Sequence, residues 1–145
     1  MEIKRRTDYA IRMLLTIAGH NNREPLSISQ VSKSDKVPYQ FARSIQHDLA
    51  QAGLLTTTRG AHGGSRLAKP AEKITLFDIV RAMQGPLVFS PCGIDPGWCE
   101  RFNYCTVHNV WNKLDVEIRH QLEVVTLKDL AETPMKTSEI FSKAD

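Results

Sequence analysis

The feature that most restricts this fold is a change of period at Gly53. Before it, apolar residues recur at three- and four-residue spacing. Tyr9, Ala10, Met13, Leu14, Ile17 and Ala18 share one face of a helix running from Thr7 to about His20. A turn at Asn21, Asn22 and Pro25 follows, and Ser27 with Gln30 form a capping box that opens a short helix with Ile28 and Val31 inward. A second turn, Ser34-Asp35-Lys36-Val37, leads to Pro38, suited to a first helical position. Phe41, Ala42, Ile45, Leu49 and Ala52 then form an inward stripe, closed by Gly53. After Gly53 the run Leu54-Leu55-Thr56-Thr57-Thr58-Arg59 reads as a strand, Gly60-Ala61-His62-Gly63-Gly64 as a turn, and Ser65-Arg66-Leu67-Ala68 as a returning strand. Three helices and a basic hairpin in this order make a winged helix-turn-helix, in which the third helix suits a DNA major groove and the hairpin an adjacent phosphate ridge or minor groove.

Pro70 ends this unit. Thr75 caps a helix with Leu76, Ile79, Val80 and Met83 inward, and residues 85–98 read as loop, rich in Gly and Pro. A long helix is expected from about Thr106 to near Val124, roughly 28 Å at 1.5 Å per residue. Its Val107, Val110, Trp111, Leu114, Ile118, Leu122 and Val125 form an apolar stripe for pairing two chains, or for packing on residues 76–83. Thr126 and Asp129 cap a last helix, Leu127 to Glu132, before a polar tail. The expected fold is mainly α. Residues 1–70 form the winged helix, and residues 71–132 hold a cysteine loop (about 85–105) and a dimerisation helix (about 106–125); residues 133–145 are the tail.

Charge divides at the same place. Residues 1–70 carry 11 Lys+Arg against 5 Asp+Glu, net +6, and residues 71–145 carry 8 against 11, net −3. A basic half on an acidic one suits a polyanion partner. On the third helix, Tyr39, Gln40, Arg43, Ser44 and His47 are the polar positions able to reach base edges or phosphates. Arg43 matches a guanine edge and Gln40 an adenine edge. Arg59, His62 and Arg66 belong to the hairpin, and Lys4, Arg5 and Arg6 precede the first helix, where phosphates are the expected contacts. Such architectures also serve as protein-interaction modules. No apolar stretch approaches the ~18 residues that span a bilayer, and the N-terminus lacks the apolar centre of a signal peptide, so a cytoplasmic protein with no membrane partner is expected.

All three cysteines, Cys92, Cys99 and Cys105, fall within 14 consecutive residues, and His108 follows three after the last. An odd number cannot all pair within one chain. Cys105 and His108 share a face at a helix start. Three thiolates and an imidazole can hold zinc, or an iron–sulfur cluster that accepts His at some irons. Spacing does not decide between them. The plain alternative is three free thiols in a loop. A thiol redox enzyme is disfavoured because no CxxC motif is present.

Thr7-Asp8-Tyr9-Ala10-Ile11-Arg12, Gln51-Ala52-Gly53-Leu54 and Arg59-Gly60-Ala61-His62-Gly63-Gly64-Ser65-Arg66-Leu67 resemble the bacterial winged-helix regulators of the IscR/NsrR/RirA family. Ile74 to Arg81, Cys105-Thr106-Val107-His108-Asn109-Val110-Trp111 and Thr126-Leu127-Lys128-Asp129-Leu130 extend the resemblance over about residues 1–132. It implies a homodimeric, non-enzymatic transcription factor on a palindromic duplex operator, with an iron–sulfur cluster near the dimer interface, 2Fe-2S in preference to 4Fe-4S. Cys92, Cys99 and Cys105 match the cysteine ligands. The fourth ligand matches His108 in IscR-like members, and Asp8 of the other subunit in NsrR-like ones. The shared Cys-x-x-His-x-x-Trp context favours His108, and Asp8 also suits a first-turn helix charge. Two departures stand out: Ser65 replaces an aromatic or aliphatic residue after the wing glycines, and Arg43 replaces an acidic one. Oxidation, nitric oxide or iron shortage at the cluster is then expected to alter DNA affinity by ~1–3 kcal/mol.

Overall fold

The structure, a computed structural model, describes residues 2–20 and 24–132. The expected turn at Asn21 and Asn22 and the tail from residue 133 lie outside the described residues. Six helices and one hairpin follow in order: α1 (Arg5–Gly19), α2 (Ile28–Ser34), α3 (Tyr39–Gln51), β1 (Leu55–Thr58), β2 (Gly64–Leu67), α4 (Leu76–Gln84), α5 (Thr106–Val124) and α6 (Leu127–Glu132). Short 3-10 turns punctuate the loop between α4 and α5 at Pro91–Gly93, Pro96–Trp98 and Phe102–Tyr104.

The predicted caps form. Ser27 and Gln30 exchange side-chain and backbone bonds at 3.2 and 2.9 Å, as do Thr75 with Asp78 and Thr126 with Asp129. Each pair satisfies amides that a helix start otherwise orphans. Pro38 differs from expectation by one place. It is the N-cap of α3, with an extended ψ of 134° and its carbonyl accepting from Ala42. Lys36, at φ 53°, supplies the left-handed residue that turns α2 into α3.

The core lies where α1, α3 and α4 meet. Met13, Leu14, Val31, Ala42, Ile45, Leu49, Ile74, Ile79 and Leu127 are fully buried there. Two sequence expectations shift on α3. Phe41 points outward, 53% exposed, because small Ala42 takes the inward position and lets α1 approach. Ala52, past the last turn, is exposed as well.

β1 and β2 pair antiparallel from Leu55 with Leu67 to Thr58 with Gly64. Gly64 sits at φ 156°, and a Cβ there would strike the Leu26 carbonyl, which accepts from the Ser65 amide at 2.7 Å. That bridge docks the hairpin on the segment before α2. Ser65 is 1% exposed, and its hydroxyl accepts from Gln46 of α3 at 2.6 Å, a polar tie where an apolar residue would only pack.

The long helix matches its predicted span but buries no residue, and Val125, expected on its stripe, is instead its C-cap and is buried. It packs by one edge on α4 and the loop. Asp115 accepts from the Phe89 amide at 2.8 Å, and the Arg119 guanidinium lies 5.0 Å from the Phe77 ring centre. Among the described residues no helix is long and apolar enough to cross a membrane.

Candidate functional site

The first functional surface is built on α3. Tyr39, Gln40, Arg43 and His47 are exposed along its outer face. Ser44 is exposed too, but its hydroxyl accepts from Arg6 at 2.7 Å, and the same guanidinium nitrogen reaches Asp48 at 2.7 Å. Arg6 is therefore the second residue of α1 and is neutralised by α3, so it is not a free arm charge before the helix. Arg59, His62 and Arg66 are exposed on the hairpin. Arg5 is held differently, with its Nε donating to the Tyr9 hydroxyl at 3.0 Å.

The second surface is the cysteine loop. A small cavity of about 100 Å³ is lined by Cys92, Cys99, Cys105 and His108 with Trp98, Phe102 and Trp111. Cys92 is buried, and its Sγ stands 3.3 Å from His108 Nδ1 and 3.3 Å from the Ser90 hydroxyl. Cys99 and Cys105 are half-buried, and all three cysteines are free. His108 packs against Phe102 at 4.3 Å between ring centres, and Trp111 stacks on Phe89 at 5.9 Å. Cys105 is the N-cap of α5, where helix amides favour a negative group. The donors share one cavity, yet among the described residues no three His, Cys, Asp or Glu side chains are arranged to hold a metal ion. The donor chemistry, three thiols and an imidazole in an aromatic pocket, fits an iron–sulfur cluster. Within one chain Asp8 lies outside the lining of this cavity and pairs with Arg12 at 2.7 Å on α1; the expectation concerned Asp8 of the other subunit.

Sequence reasoning missed the aromatic wall of the cavity and the two ties to α3, from Arg6 of α1 and from Ser65 of the hairpin. The aromatic density of residues 98–111 was the available signal for the wall.

A helix-turn-helix braced by α1, with a basic hairpin docked beside its exposed third helix, defines a winged-helix protein. The chain matches the Rrf2 model, described as an iron-dependent transcriptional regulator, over residues 3–133. It is similar to protein rrf2 of Nitratidesulfovibrio vulgaris, 32% identical over 130 residues covering 90% of this chain and 87% of that one. It is also similar to the regulator NsrR of Oceanobacillus iheyensis, 33% identical over 132 residues covering 90% and 89%. Among solved structures it resembles CymR, the global cysteine regulator of B. subtilis, with a TM-score of 0.74 at 24% identity over 90% of this chain and 96% of that one. The chain belongs to the Rrf2 family of transcriptional regulators. It is a non-enzymatic DNA-binding protein of a family whose members are generally dimeric.

Proposed function

We propose that this regulator reads a palindromic operator as a homodimer and that an iron–sulfur cluster, held by Cys92, Cys99, Cys105 and His108, sets its DNA affinity. The carrying observation is the convergence of those four donors on one aromatic-walled cavity. When bound, the cluster supplies a centre whose ligation and charge change on oxidation, reaction with nitric oxide or loss of iron. The chain's own residues do the rest. Cys92 and His108 tie the turn Pro91–Gly93 to the first turn of α5. The loop begins directly after Gln84, whose Oε1 accepts from the Thr7 hydroxyl at 2.8 Å and from the Lys4 amide at 3.2 Å. The residue before Thr7 is Arg6, which grips Ser44 and Asp48 of α3. Ordering the loop therefore bears on the position of α3 through a single turn of α1.

On DNA, Gln40, Arg43 and His47 reach base edges with Tyr39 and Ser44 beside the phosphates, while Arg59, His62 and Arg66 take the flanking ridge. Arg43→Ala is expected to change the preferred base at one position per half-site, by about 1–3 kcal/mol, and Arg59→Ala to weaken binding across sequences. Low-salt titrations in which neither matters would reject this use of α3 and the wing.

A second reading has a specific observation behind it: Cys92 and His108 touch, while among the described residues no three His, Cys, Asp or Glu side chains are set for a metal. On that reading the loop is a cluster-free thiol sensor. Anaerobic purification followed by visible absorption separates them. Broad charge-transfer bands with stoichiometric iron and sulfide support the cluster. A colourless protein, with or without zinc, rejects it.

A further inference from the structure

The exposed ring of Phe41 belongs to neither the core nor the set of polar readers on α3. It is 53% exposed in the first turn of that helix, three positions before Ser44 and so beside it on the helix surface. An apolar side chain on the helix that meets a ligand gains free energy when the ligand removes it from water. The ring is also held in place. It packs edge-on against Tyr9 at 6.5 Å between centres, with planes at 68°. The Tyr9 hydroxyl accepts from Arg5, whose guanidinium also lies 5.6 Å from the centre of the Tyr9 ring. Arg5, Tyr9 and Phe41 thus form a ridge alongside α3, running from a solvent-exposed cation to a fixed, half-open aromatic ring. The one apolar group that a DNA major groove offers is the C5-methyl of thymine. A cation beside it would meet the negatively charged backbone.

We propose that Phe41 is a specificity-determining residue that contacts a thymine methyl in each half-site, with Arg5 on a neighbouring phosphate. This rests on α3 being the groove helix. The ridge makes the contact selective, because Tyr9 limits the motion of the ring and leaves one edge to cover the methyl.

The test uses the full-length protein as purified. Bound duplexes are selected from a random double-stranded library with wild type, Phe41→Ala, Phe41→Leu and Arg43→Ala. Wild type is expected to select thymine at one position per half-site, and Phe41→Ala to lose that preference while keeping the others. Replacing that thymine by uracil in a synthetic duplex removes only the methyl. Wild-type affinity should fall about fourfold per half-site, the worth of one buried methyl group, and Phe41→Ala should not respond. Phe41→Leu, which keeps an apolar side chain and guards against a misfolded alanine variant, should retain part of the uracil penalty. Arg5→Gln should weaken all duplexes alike and lower the salt slope by about one.

Three outcomes overturn the proposal. One is an unchanged selected sequence in Phe41→Ala; another is a uniform loss on every duplex, including random DNA; the third is no uracil penalty in wild type. If Arg43→Ala also leaves the selection unchanged, the groove-helix reading itself has failed. If Arg43→Ala shifts the selection and Phe41→Ala does not, only the thymine contact has failed.

Discussion

The two halves of this chain bury themselves differently. From Ala10 to Val80 the helices and hairpin close around a continuous core. From Arg81 to Val124 only one residue, Cys92, is buried, at 9% exposure. On the proposed function, two separate demands explain the contrast. A reading head must present Gln40, Arg43 and the wing in fixed register, so its packing must be complete within one chain. A sensing and pairing half must respond to something outside itself, so part of its closure is left to a partner or ligand. Val107, Val110 and Trp111 are exposed on α5, and the proposed homodimer would cover them.

The largest effect that could break this contrast lies in the core. Leu14→Ala should lower the unfolding free energy by about 2–5 kcal/mol in denaturant titrations, at every protein concentration. Val110→Glu should do little to the isolated chain but weaken self-association at least tenfold by sedimentation equilibrium, since it places a charge in an apolar contact. If it destabilises the monomer as Leu14→Ala does, the two halves are not different in kind. A smaller effect tests the seam between them. Gln84→Ala removes the acceptor for Thr7 and Lys4, and should shrink the ratio of DNA affinities between cluster-loaded and cluster-free protein by a coupling of about 1 kcal/mol. An unchanged ratio would mean that the signal does not cross at Gln84. The smallest is local to the wing. Ser65→Ala leaves the Gln46 amide without its acceptor and should cost about 1 kcal/mol of stability.

Most of the architecture was legible in the sequence, because each element carries its own local signals. The capping boxes at Ser27, Thr75 and Thr126, the switch of period at Gly53 and the wing glycines are decided within a few residues. What was not legible depends on which neighbour arrives. Phe41 and Ala42 both fit an inward stripe with Ile45 and Leu49, and only the close approach of α1 decides for alanine. Arg6 reads as a free arm charge until the fold brings Asp48, 42 positions later, within 2.7 Å. The cysteine site was legible as a donor set and not as a geometry. Its lining comes from irregular turns, which carry no periodicity.

One detail of the cavity wall has an optical consequence. The chain has two tryptophans, Trp98 and Trp111, and both line the cysteine cavity. The DNA-reading half carries only tyrosine and phenylalanine. Light emitted on selective tryptophan excitation therefore originates entirely beside the candidate sensing site, and an absorbing cluster there would quench it by energy transfer. The protein carries its own reporter dye, placed in the half whose state is in question and absent from the half that would otherwise add background.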